Sequence, residues 1–120
     1  MNKLSVALVC IACAVMPQSV QAAPAKVECV FKTGMGKDWP MTFVFDEQTK
    51  SVTVRDALMP KYDSTVRATY NPETVVFSKN SIQVFEVNRV TLVARRTILD
   101  EKMQEQVVTC KLGDSPARAF

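Results

Sequence analysis

Hydrophobic and polar residues alternate along most of this chain in short runs. In Met41–Phe45, the side chains of Met41, Phe43 and Phe45 share one face and Thr42 and Val44 the other. Ser51–Arg55 repeats the pattern with Val52 and Val54. A period of two puts successive side chains on opposite faces of an extended chain, so both runs are predicted strands. The polar stretch Asp46–Lys50 between them reads as a hairpin loop. Lys26–Lys32, Ser64–Tyr70, Thr74–Ser78, Ser81–Arg89, Val90–Ile98 and Gln106–Leu112 extend the series, with turns at Thr33–Asp38, Asn71-Pro72 and Lys79-Asn80. In Ala57–Asp63, Pro60 removes a backbone donor and argues against a central strand. Ile98–Gln106 is the one helical candidate: Leu99 and Met103 are spaced for one face, Asp100 and Glu101 come early, and Thr97 can cap the start. One or two turns are expected there. The pattern predicts an all-β fold, a compact antiparallel barrel or sandwich of seven or eight strands with at most one short helix.

The first residues follow a different pattern. Lys3 precedes an apolar run, Leu4–Met16, which Pro17-Gln18-Ser19 ends before Val20-Gln21-Ala22. This predicts a secretory signal peptide over residues 1–22, cleaved near Ala22, and a periplasmic or secreted product. The run is shorter than the roughly 20 residues a bilayer requires, so no transmembrane segment is expected in the mature chain. Lipidation of Cys13 is the alternative use of the leader. Residues 23–120 then form a single small β-domain, with 113–120 a frayed tail.

Export changes the reading of the cysteines. Of the four in the chain, Cys10 and Cys13 leave with the leader, so Cys29 and Cys110 remain for one disulfide in an oxidising compartment. Val27, Cys29 and Phe31 share a strand face, as do Val108, Cys110 and Leu112, which directs both sulfurs inward. Closing a loop of about 80 residues stabilises a fold by ~4 kcal/mol in the chain-entropy account.

Charge adds little. The formal +3 of the whole chain, reduced by loss of Lys3, is too small and too evenly spread along the sequence to argue for nucleic acid or an anionic membrane. Absence of histidine excludes Ser-His-Asp and Cys-His nucleophile systems and the usual histidine metal sites. With three glycines, none at phosphate-loop spacing, and acids that come singly or as Asp46-Glu47 and Asp100-Glu101, no cofactor or metal is expected. No catalytic residue is assigned.

What remains is recognition by a surface. Trp39, the only tryptophan, follows a turn, and Lys61-Tyr62-Asp63 lies in the Pro60 loop. Aromatics beside charges can anchor a partner; the other reading is that Trp39 plugs one end of a barrel and Tyr62 covers another. Asn88-Arg89 interrupts the aliphatic run VFEVNRVTLV. Either Arg89 pairs with a carboxylate such as Glu86 or Glu105 while Asn88 bonds a turn backbone, or the pair binds an anionic group.

Cys29, Phe85, Val87, Asn88, Arg89, Thr91 and Cys110 together resemble a loose group of small exported proteobacterial β-proteins. In these an Asn-Arg-x-Thr-Gly strand-turn lies between an early and a late cysteine strand. Leu92 stands here where that pattern has its turn glycine, and the group brings no activity with it. In outline the chain is also similar to periplasmic inhibitors of C-type lysozyme, small barrels with one disulfide between first and last strands; their Ser-Gly-x-Tyr loop is absent, and Lys61-Tyr62-Asp63-Ser64 is the nearest chemistry. The expectation is a non-enzymatic periplasmic domain that binds a protein or cell-envelope component. The alternatives are a lysozyme-inhibitor-like protein, or a structural or stress accessory of the envelope.

Overall fold

A computed structural model describes residues 23–100 and 102–113. The expected leader, with Cys13, and all of the expected tail beyond Gly113 lie outside these residues. Nine antiparallel strands succeed one another: β1 (Ala25–Lys32), β2 (Asp38–Asp46), β3 (Ser51–Asp56), β4 (Ser64–Tyr70), β5 (Thr74–Ser78), β6 (Gln83–Asn88), β7 (Val93–Ile98), β8 (Gln104–Thr109) and β9 (Lys111–Leu112). From β1 to β8 each pairs with the next, and β9 returns to pair with β1, so the sheet curls into a nearly closed barrel.

The strand count exceeds the expected seven or eight because the run Gln106–Leu112 is divided at Cys110. There the backbone N–H donates to Leu92 O at 2.8 Å. Upstream residues pair with β7, as in Val93↔Thr109, while downstream residues pair with β1, as in Val27↔Leu112. The Cys29–Cys110 disulfide lies on this seam, with Cα atoms 4.5 Å apart. Farther along the seam one side chain does the work of a strand. Lys32 N–H donates to Gln106 Oε1, and Gln106 Nε2 donates to Lys32 O, each at 2.8 Å.

Alternation fills the interior as expected. Phe31 and Val27 from β1, Met41, Phe43 and Phe45 from β2, and Val52 and Val54 from β3 face Val75, Phe77, Phe85, Val87 and Ala94 from the opposite wall. Phe43 meets Phe77 and Phe85 edge-on at 5.1 and 5.2 Å between centroids, and Phe77 stacks on Phe85 at 5.3 Å. Each fully buried phenylalanine contributes roughly 1.5–3 kcal/mol through area removed from water.

Two local expectations are corrected. No helix forms among the described residues between Ile98 and Gln106: β7 runs through Ile98, and β8 starts at Gln104. Asp100 Oδ1 accepts from the N–H groups of Lys102 and Met103 at 2.9 Å each. That side-chain turn competes with a helical start, and Met103 adopts φ 47°. The sole helical element described is the 3₁₀ turn Pro60–Tyr62. Likewise β7 begins at Val93 rather than Val90. Asn88 Oδ1 accepts from Val90 and Thr91 N–H at 2.8 Å each, and Leu92 takes φ 62°. The tight turn therefore forms without glycine, at a backbone cost of about 1–2 kcal/mol that packing of Leu92 against the core offsets.

Candidate functional site at the Trp39 end of the barrel

In an antiparallel meander, alternate loops emerge at opposite ends. The β1–β2, β3–β4, β5–β6 and β7–β8 loops share one end, and the β2–β3, β4–β5 and β6–β7 loops share the other. The expected partner-binding residues Trp39, Lys61, Tyr62 and Asp63 come together at the first end; Asn88 and Arg89 lie at the second.

The strand pattern explains why a cleft opens at the first end. β4 pairs with β3 through Ser64–Arg67 and with β5 only from Ala68, so β4 and β5 part toward this end. A hollow of about 530 Å³ lies on the wall beside Val66, Arg67 and Phe77. At the mouth, a cleft of about 480 Å³ is walled by Trp39, Met59, Tyr62, Lys79, Asn80 and Gln83, with Asp56, Lys61, Asp63 and Ser64 completing it. The first hollow has one charged and one aromatic residue, Arg67 and Phe77, whereas the second gathers Asp56, Lys61, Asp63 and Lys79 with Trp39 and Tyr62, which makes it the candidate site.

Asp56 at its base and Arg96 behind Trp39 and Gln83 are charges that alternation carried inward. Asp56 continues the inward face of Val52 and Val54, and Arg96 that of Ala94; they are 2% and 3% exposed. Asp56 Oδ1 accepts from Trp39 Nε1 at 2.8 Å and from the N–H groups of Leu58 and Met59 at 3.0 and 3.1 Å. Lys79 Nζ lies 3.1 Å from Asp56 Oδ2. Burial pushes the Asp56 pKa up, but the Trp39 and Lys79 hydrogen bonds, the Met59 amide and the Lys79 charge outweigh it, and the carboxyl titrates below its ordinary value. The Arg96 guanidinium lies 4.5 Å from the Trp39 ring and 6.0 Å from the Phe31 ring, and its Nε donates to Gln83 Oε1 at 3.2 Å. Burial lowers its pKa, partly countered by the Asp56 charge.

Asp56 also fixes the loop above the cleft. Its own N–H donates to Asp63 Oδ1 at 2.8 Å, so the two aspartates clamp both ends of the 57–63 segment around the 3₁₀ turn. Every residue of that segment is exposed, including Leu58, Met59 and Tyr62. The other loops of this end repeat the feature: Met35 is 86% exposed, and Ile82, Leu99 and Met103 are exposed as well. Thus each of the four loops presents at least one large apolar side chain. Pro40 fits within β2 because its missing N–H falls at the last rung toward β3, where its carbonyl accepts from Ala57 N–H at 3.2 Å.

At the opposite end Arg89 joins two loops. Its Nη2 is 2.5 Å from Glu47 Oε1, its Nη1 donates to Asn71 O at 3.0 Å, and its guanidinium lies 5.7 Å from the Tyr70 ring. The carboxylate is Glu47 rather than Glu86 or Glu105, both of which lie beside Arg95. The Arg89 hydrogen bond holds the Glu47 pKa below its ordinary value. Tyr70 donates its hydroxyl to Ser51 O at 2.6 Å, and burial pushes its pKa up to about 12.

Asp56, Lys79, Gln83 and Arg96 are the site residues that the sequence reading missed. The available signal was strand parity: Asp56 and Arg96 each occupy an inward position in an otherwise apolar alternation. No protein-family model, curated protein or solved structure matches the chain.

Proposed function

We propose that this barrel is a non-enzymatic binding module of the cell envelope, exported to the periplasm, whose contact region is the Trp39 end. The observation that carries the reading is the apolar rim, with large exposed hydrophobic side chains on all four loops of that end. Such clustering marks interaction surfaces, whereas isolated exposed apolar residues are ordinary. Clamping of the 57–63 segment by Asp56 and Asp63 favours binding further, because a loop held in one conformation loses little entropy on contact. Export is supported by the leader pattern and by the disulfide, which suits an oxidising compartment.

A photo-crosslinking residue placed at Met35, Tyr62 or Ile82 in living cells should give discrete adducts, and the same residue at Val90 on the opposite end should give none. Equal adducts from both ends would overturn the assignment. The clamped, exposed 57–63 loop also favours a second reading, insertion into the cleft of an enzyme such as a C-type lysozyme. Inhibition of lysozyme turnover by micromolar protein is its test, and full turnover would remove that reading.

A further inference from the structure

The floor of the cleft carries an uncompensated positive charge. Three ionised side chains are nearly withdrawn from water there: Asp56 is fully buried, Lys79 is 9% exposed at its side chain, and Arg96 is buried against Trp39. Among these buried groups one carboxylate stands with two cations, while Lys61 and Asp63 at the rim of the cleft offset each other. Asp56 is also committed to Trp39, Leu58 and Met59 through one oxygen and to Lys79 through the other. Among the described residues Lys79 has one acceptor, Asp56 Oδ2, for an ammonium with three donors. Lys79 lines the cleft, beside Asn80, Gln83 and Ser64, which can also donate. Burial of a net charge is unfavourable unless a counter-charge joins it. Of the remaining lining, Trp39, Met59 and Tyr62 are apolar or aromatic, and Lys61 and Asp63 are exposed side chains of opposite charge.

We propose that the cleft binds a carboxylate carried on an apolar body, the carboxylate meeting the Lys79 ammonium and the apolar part lying against Trp39, Met59 and Tyr62. This inference rests on the reading of the Trp39 end as the contact region and names the chemistry that its central cleft recognises. Lys79 supplies the two N–H donors that Asp56 leaves open, and the entering anion neutralises the excess charge of the floor. The volume of about 480 Å³ lies within the range of small-molecule sites. A free amphiphilic acid and the C-terminal carboxylate of a chain with an apolar last residue present the same group.

The single tryptophan lines the cleft, so its fluorescence reads occupancy directly. Titration with octanoate and octanamide, and with N-acetylphenylalanine and its amide, separates charge from shape and the two sources from each other. The acids should change Trp39 emission saturably and the amides should not, and the acid that binds more tightly identifies the source. Lys79→Gln should weaken the acid about tenfold to a hundredfold, the loss expected of a charged hydrogen bond, and Lys79→Arg should recover most of it. Equal binding of acid and amide, no response to any of the four, or an unchanged affinity in Lys79→Gln overturns the proposal. Should Lys79→Gln fail to fold, the acid–amide comparison and Lys79→Arg still decide. If rim crosslinks persist while no acid binds, the carboxylate inference falls and the binding-module reading stands; loss of both removes the two together.

Discussion

The two ends of the barrel use the same three chemical groups in different ways. At each, an arginine lies over an aromatic ring and a carboxylate stands close by: Arg96, Trp39 and Asp56 at one end, Arg89, Tyr70 and Glu47 at the other. At the Tyr70 end the arginine itself takes the carboxylate and a loop carbonyl, and Glu47 keeps 44% of its side chain in water. At the Trp39 end the carboxylate is wholly buried and the tryptophan, the lysine and two loop amides take it instead, leaving the arginine with a glutamine. A half-buried arginine paired with a largely solvated carboxylate staples loops. A buried carboxylate with two cations around it holds a loop rigid and leaves positive charge beside a cavity.

The largest effect should follow Asp56→Asn. It leaves Lys79 and Arg96 buried without a carboxylate and should lower the unfolding free energy by about 3–5 kcal/mol in urea melts. The same variant should change the acid limb of stability. Because folding lowers the pKa of Asp56, its contribution is whole above the unfolded value of about 3.9 and is lost as pH falls through the folded one, so Asp56→Asn should lack that component of the acid loss. Trp39→Phe keeps an aromatic ring but removes the Nε1 donor, and about 1.5–3 kcal/mol is expected to go with it in the same measurement. At the other end Arg89→Ala should cost less, roughly 1–2 kcal/mol, and should return the Glu47 pKa toward its ordinary value in an NMR titration. Smallest of all should be Glu47→Gln, within about 1 kcal/mol and shrinking as salt is added. If Glu47→Gln matched Asp56→Asn, the contrast between the ends would collapse.

Much of the barrel was legible because period-two alternation is enforced by a buried face: Met41, Phe43 and Phe45 point inward, as do Val52 and Val54. The disulfide was legible for the same reason, since Cys29 and Cys110 share their faces with core residues. Where prediction failed, side-chain hydrogen bonds to local backbone had replaced a regular element. The Asp100 turn displaced a helix, and the Asn88 turn consumed the first residues expected of β7. Of the residues lining the candidate cleft, Trp39, Lys61, Tyr62 and Asp63 were singled out by their aromatic and charged character, and the fold brings them to one cleft. Asp56, Lys79 and Arg96 were not, because charges in strands, like Asp56 and Arg96, and in turns, like Lys79, are ordinarily taken to face water. Their partners are distant in sequence: Lys79 lies 23 positions from Asp56, and only the barrel brings them together.

The Gln106 bridge to Lys32 has a consequence for the wall as a whole. A primary amide copies a peptide group by carrying donor and acceptor on one carbon, which is why a side chain can complete a rung that no strand reaches. Deamidation of that residue would keep the acceptor and turn the donor into an anionic oxygen facing the Lys32 carbonyl. The rung would then repel and expose the Lys32 end of β1 beside β8, while the β1–β9 pairs and the disulfide hold the rest of the seam, and an exposed strand edge is a template for strands of another molecule. That amide nitrogen thus covers the stretch of the seam that the disulfide and the β1–β9 pairs do not reach.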